Sequence, residues 1–497
     1  MGQRRMPSGI PGLDEILMGG LISRQTYLLV GGPGAGKTIF SVQWILDGVK
    51  QGEKGLFITL VEPPDMIRES MSGFGWDMEE LDIVDLSETG TVKGNEHGEY
   101  RVFPPSEVED VHAWRDIHRV VEERRPQRIV IDSITQLRGL SVDEYQFRRH
   151  LSGLMKTLRQ KNCTTFFLFE PVELRHETAI ASIVDAIFYL NVETSPERVI
   201  DIRSLHVKKF RGSDFMPGLH PMRITPKGIR LFPHRMESFK DVLTGKGMIR
   251  SGIPEFDQLL GGGIEAGTVT VVSGQSGTGK SSLAMMFLAH EALEGKRGIL
   301  YTFEEPIKSI LTRSRNLGIA VDSLMGSGLL RIVQVNPLEL YPDEFLEIVR
   351  SSVEAEGYEI VVIDSLRGYA LAMDQFGSIT AHLQNMVIYL RSQGVSVLMI
   401  NEVENITGDL KMTEMGISFL ADNIILLRYI ERRGKVTRAI GCLKKRLGAF
   451  STELRELVIG ARGVEVGEVL EELQGVLTGV PQTTNKDFSS RDSRHMQ

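Results

Sequence analysis

The chain has 497 residues, 57 Lys+Arg against 65 Asp+Glu and a net charge of −8, so it carries no global basic field to recruit nucleic acid or an acidic membrane. With 41% hydrophobic and 25% charged residues it reads as globular, and its length accommodates two to four domains, each with its own core. Its two cysteines, Cys163 and Cys442, form no CxxC pair, which argues against a zinc ribbon or a disulfide framework and fits a reducing cytoplasm. The opening MGQRRMPSGIPG shows no apolar signal segment, and no apolar run approaches the roughly 20 residues that span a bilayer; a cytoplasmic location is expected.

In chain order, SGIPGLD begins at Ser8 and returns as SGIPEFD at Ser251, 243 residues later (251 − 8). A Gly-rich segment then leads to a β-branched run, TYLLV over 26–30 or TVTVV over 268–272. The next residues are GGPGAGKT in the first half (Gly31, Gly32, Pro33, Gly34, Ala35, Gly36, Lys37, Thr38). In the second they are GQSGTGKS (Gly274, Gln275, Ser276, Gly277, Thr278, Gly279, Lys280, Ser281), and Lys37 and Lys280 keep the 243-residue spacing (280 − 37). A helical pattern follows each: Val42, Ile45, Leu46 and Val49 repeat at i, i+3, i+4, i+7, as do Met285, Leu288, Ala289 and Ala292.

The next strands, GLFITLVE and GILYTFEE, end in Val61–Glu62 and Glu304–Glu305. Later strands RIVIDS and EIVVIDS carry Asp132 and Asp364, now 232 apart (364 − 132), so the first half holds about 11 extra residues. The polar stretch 87–100 is the expected insertion, a surface loop or hairpin. Basic clusters KKFRG (208–212) and KKRLG (444–448) fall late in each half and share a Lys-x-Arg spacing, Lys209 with Arg211 and Lys444 with Arg446. Alternating strands and helices imply two tandem α/β domains, each a mostly parallel sheet flanked by helices. The expected domains are 1–240 and 241–475, with a mobile polar tail over 476–497.

The chemistry follows from the residue types. Glycine-rich loops at a helix N-terminus let backbone amides wrap phosphates. Lys37 and Lys280 reach the β- and γ-phosphates of ATP, while Thr38, Ser281, Asp132 and Asp364 suit the Mg²⁺ shell. Glu62, Glu304 and Glu305 are candidate general bases. The Lys-x-Arg pairs are candidate arginine fingers for a neighbouring subunit's γ-phosphate.

The tandem arrangement, FGWD (Phe74–Asp77) and ISFLADNIILLRYIERRGKVTRAI (417–440) resemble the KaiC family of the RecA superfamily, over residues 6–475. That resemblance implies a homo-oligomer, a hexameric double ring with ATP between neighbouring subunits. It implies slow hydrolysis in the first ring and, in the second, Glu304 as the base that phosphorylates a neighbouring subunit. Matched back from Asp422, the family's adjacent serine and threonine acceptors are Ser418 and Phe419, so one acceptor, Ser418, is expected rather than two; Thr413 matches another threonine of that segment. The tail resembles a segment used to bind signalling partners. Loss of a carboxylate at Val61 leaves the first ring either hydrolysing through Glu62 or holding ATP chiefly for assembly. A RadA-like DNA-repair ATPase and a non-catalytic ATP-gated scaffold are the competing readings; the acidic balance disfavours the first and Glu304–Glu305 the second.

Overall fold

A computed structural model describes residues 4–87, 105–139, 141, 143–171, 180–195, 200–237, 247–371, 373, 377–403, 417–432, 434–460, 463–471, 473–474 and 482–483. The chain divides into two compact units, Met1–Arg235 and Met236–Gln497.

The first unit is built on β1 (Thr26–Gly31), β2 (Gly55–Thr59), β3 (Asp82–Asp85), β4 (Arg128–Asp132), β5 (Thr164–Phe169), β6 (Ala186–Thr194), β7 (Asp201–Phe210), β8 (Leu219–Thr225) and β9 (Gly228–Leu231). Among the described residues these make one sheet of order 3-2-4-5-1-6-7-8-9, and every pairing from β3 across to β6 is parallel. The second unit repeats the plan with β10 (Val269–Gly274), β11 (Gly298–Thr302), β12 (Leu330–Gln334), β13 (Ile360–Asp364), β14 (Ser396–Glu402), β15 (Asn423–Arg432), β16 (Lys435–Lys445), β17 (Arg455–Gly460) and β18 (Gly463–Val469). Its order, 12-11-13-14-10-15-16-17-18, is the first order advanced by nine, so the duplication seen in the residues is a duplication of topology.

Strands β1 and β10 are continuous apolar runs because they are buried on both faces. Tyr27 and Leu29 pack with Phe40, Trp44 and Phe166 on one side of the first sheet, while Leu28 and Val30 pack with Ile131, Phe147 and Leu151 on the other. The second sheet does the same, Val272 against Leu283 and Leu288, Val271 against Tyr301 and Tyr389. Each such side chain contributes about 1.5–3 kcal/mol by leaving water. The helices read from periodicity are Lys37–Lys50 and Lys280–Leu293, and their apolar positions face these cores.

Beyond β6 and β15 each sheet turns antiparallel, through β7–β9 and β16–β18, a wing that strand–helix alternation does not announce. The reason is local: β7 alternates buried and exposed residues, so Lys208 and Lys209 of KKFRG, which look like a surface cluster, are strand residues. Residues 88–104, most of the expected insertion, lie outside the described residues, and the helix Pro105–Arg124 follows them. Thr413, linker positions 238–246 and most of the tail also lie outside them. Within the tail, Gln482–Thr483 departs from the expectation of an unstructured segment by pairing antiparallel with Leu473–Gln474. Among the described residues no helix is long and apolar enough to cross a membrane.

Candidate functional site

Each phosphate loop leaves the carboxyl end of the strand at which the sheet order reverses, where open α/β sheets form their ligand crevice. The loop ends at Gly36 (φ 95°) or Gly279 (φ 105°), left-handed positions where glycine escapes the Cβ clash, and a 14-residue helix starts at the following lysine. Lys37 is buried and its Nζ donates to Gly31 O (2.9 Å), Gly32 O (3.1 Å) and Glu170 Oε1 (3.0 Å). Lys280 is equally buried and donates to Gln275 O (2.7 Å). Burial draws Lys280 below the usual lysine range, opposed by Glu402, Asp364 and Glu304.

The Thr38 hydroxyl lies 3.4 Å from Asp132 Oδ2, donating to it. Burial pushes Asp132 up to about 6; Lys37 and the Thr38 hydrogen bond oppose this, while Glu62 and Glu170 add to it. Asp364 is likewise raised by burial, against a hydrogen bond from Ser281 and the charge of Arg313. The peptides Asp132–Ser133 and Asp364–Ser365 are both cis.

The strand-end turns that carry the candidate bases match in both domains. Thr59 Oγ1 donates to Glu62 O (2.7 Å) and accepts from Glu62 N (3.1 Å); Thr302 Oγ1 does the same with Glu305, at 3.0 and 3.3 Å. The side chains differ. Glu305 is gripped by Arg313 Nη1 at 2.6 and 2.7 Å, whereas Glu304 is exposed at the rim. In the first domain Val61 takes the rim position, 50% exposed, and Ser70 stands where the repeat spacing would place an arginine (313 − 243 = 70). In the second domain a cleft of about 360 Å³ brings together Gly277, Gly279, Lys280, Ser281, Glu304, Glu305 and Asp364 with Arg313, Glu402 and Arg438.

Glu170, beside Lys37 in the first domain, and Glu402 of the second-domain cleft escape a motif reading. They follow β5 and close β14, and their spacing equals that of the aspartates (402 − 170 and 364 − 132 are both 232), which is the signal that could have found them.

The Lys-x-Arg pairs lie elsewhere. Arg211 N donates to Asp185 O (3.0 Å), and Asp185 Oδ2 accepts from Thr26 N (3.0 Å) at the amino end of β1. Arg446 N likewise binds Asp422 O (3.0 Å), and Asp422 Oδ2 accepts from Val269 N (3.0 Å). The loop is at the other end of the same strand, ~16 Å away at about 3.3 Å per residue. Lys209 Nζ donates to Ala181 O (2.6 Å) and Val184 O (2.7 Å); Lys444 Nζ donates to Ser418 O (3.0 Å) and Ala421 O (2.7 Å). Matching hydrogen bonds make Lys444 the counterpart of Lys209 despite the shifted glycine, and set Ala181 where the second domain has Ser418. Burial, then the adjacent arginine, lowers both lysines. Ser418 is half-buried and Phe419 is 51% exposed.

The KaiC ATPase family model matches residues 6–236 and again 249–471. Circadian clock protein KaiC3 of Synechocystis is 27% identical over 97% of this chain and 95% of its own length. Circadian clock oscillator protein KaiC of Parathermosynechococcus lividus is 28% identical over 100% and 91%, and that of Synechococcus elongatus 27% over 99% and 94%. Two consecutive copies of one ATPase unit, sharing strand order and loop geometry, place this chain in the KaiC family.

Proposed function

We propose that the chain is a Mg²⁺-dependent ATPase that assembles into a ring through its nucleotide sites and phosphorylates itself between protomers at Ser418. The observation that carries this reading is the separation along one strand: loop and carboxylates at the carboxyl end, Lys-x-Arg pair and Ser418 at the amino end. A basic pair at that end cannot reach its own chain's phosphates. It can complete the site of an adjoining copy, so ATP serves as an assembly ligand as well as a substrate.

Thr38 with Asp132, and Ser281 with Asp364, are all-oxygen donor pairs that suit a hard divalent cation. Bound with the nucleotide, Mg²⁺ would neutralise charge on the β- and γ-phosphate oxygens. Lys280 and the loop amides hold the triphosphate, and Glu304 takes the proton from the Ser418 hydroxyl of the adjoining protomer. The serine oxygen then bonds the γ-phosphorus as the bond to the bridging oxygen breaks, giving phosphoserine and ADP. Glu305 is committed to Arg313, which leaves Glu304 as the base. In the first domain Glu62 orients water in the corresponding reaction. With Val61 at the rim, that reaction is slower and the first site's nucleotide serves chiefly to hold the ring.

The test is ATP turnover together with labelling from γ-labelled ATP in the Lys37→Ala and Lys280→Ala proteins. The Lys280 change abolishes labelling and the Lys37 change chiefly impairs assembly. Undiminished labelling in Lys280→Ala overturns the reading.

A further inference from the structure

An ammonium group has three N–H donors. In the first domain all three Lys37 donors are engaged: Gly31 O, Gly32 O and Glu170 Oε1, the last an ion pair at 3.0 Å. The two carbonyls belong to the loop itself, so only the third donor is spent on a residue outside it. Glu170 follows β5, the strand paired with β1, and its backbone N–H donates to the Thr135 hydroxyl at 3.0 Å. Its side chain is 47% exposed. It also stands on the Asp132 side, where the γ-phosphate lies in this class of site, rather than on the loop side that wraps the α- and β-phosphates.

We propose that Glu170 competes with the γ-phosphate for Lys37 and thereby sets the first domain's affinity, and its preference between nucleoside tri- and diphosphate. A triphosphate must displace a charge-assisted hydrogen bond and then sit beside the displaced carboxylate, while a diphosphate meets less of that repulsion. The inference rests on the phosphate-loop reading above and adds a residue that opposes binding.

The test uses the full chain carrying Lys280→Ala, so that binding reports the first loop. AMP-PNP and ADP, each with Mg²⁺, are titrated into proteins with Glu170 intact, Glu170→Gln and Glu170→Ala. Removing the carboxylate should tighten AMP-PNP about tenfold, the scale of one charge-assisted bond, with a smaller gain for ADP. Retained ADP binding shows that the variant loop is folded. Unchanged or weaker AMP-PNP binding in both variants, or an equal gain for ADP, overturns the inference. Failure of the Glu170-intact loop to bind either nucleotide overturns the phosphate-loop reading along with it.

Discussion

At the scale of single residues the two adjacent acids of the second domain sit in different environments. Glu305 is closed off by two hydrogen bonds from one arginine nitrogen, and Glu304 stands free at the rim. Glu304→Gln should therefore cut phosphate incorporation by about 10²- to 10⁴-fold, the usual worth of a positioned base, with Glu305→Gln costing less. Comparable losses in both would show that the arginine grip does not divide their roles. Ser418→Ala should abolish incorporation, and label equal to the parent's would remove Ser418 as acceptor. The phosphate-loop residues and strand-end carboxylates were legible because motif and repeat point to the same positions. Glu170 was not: it belongs to no motif, its 232-residue spacing from Glu402 stands out only once the strands are aligned, and the fold is what sets it against Lys37.

At the scale of elements, the helix Lys37–Lys50 and strand β4 meet through one fully buried arginine. Arg128 donates to Trp44 O (2.6 Å) and Glu53 Oε2 (2.6 Å), and its guanidinium lies 5.3 Å from the Trp44 ring. That contact explains Gly48 inside a helix, because a Cβ there would meet Arg128 Nε at 2.3 Å and Cδ at 2.5 Å. Helix propensity alone favours Gly48→Ala by up to about 1 kcal/mol, but overpacking costs about 1–3 kcal/mol, so the net effect should be destabilising. All three tryptophans, Trp44, Trp76 and Trp114, fall in the first unit, so the urea midpoint by tryptophan fluorescence reports it alone. A raised midpoint would show that Arg128 moves aside freely. The buried strands β1, β2, β4, β10, β11 and β13 were readable as apolar runs, since burial on two faces leaves no polar side, whereas the partly exposed edge strands β3 and β12 gave no such run. The antiparallel wings were not, because half-exposed strands such as β7 mix charge and apolar residues as loops do.

At the scale of the whole molecule, the proposed completion of each site by a neighbouring protomer would make assembly depend on nucleotide. Light scattering should show a large oligomer with Mg-ATP and smaller species without it, and a monomer under both conditions would sink the ring. DNA binding should be absent even at low salt, as the charge of −8 suggests; salt-sensitive binding would revive the repair reading.

The residues alone determined that one nucleotide-binding unit occurs twice, since repeat spacing, glycine pattern and strand hydrophobicity are properties of the linear chain. The tertiary structure decided which groups share a site. It brought Glu170 to Lys37 and Arg313 to Glu305, and it sent the Lys-x-Arg pairs to the far end of their strands. The physical reason is that charge interactions depend on distance through space, and a parallel sheet sets that distance by strand order and strand end, neither of which is written in sequence separation.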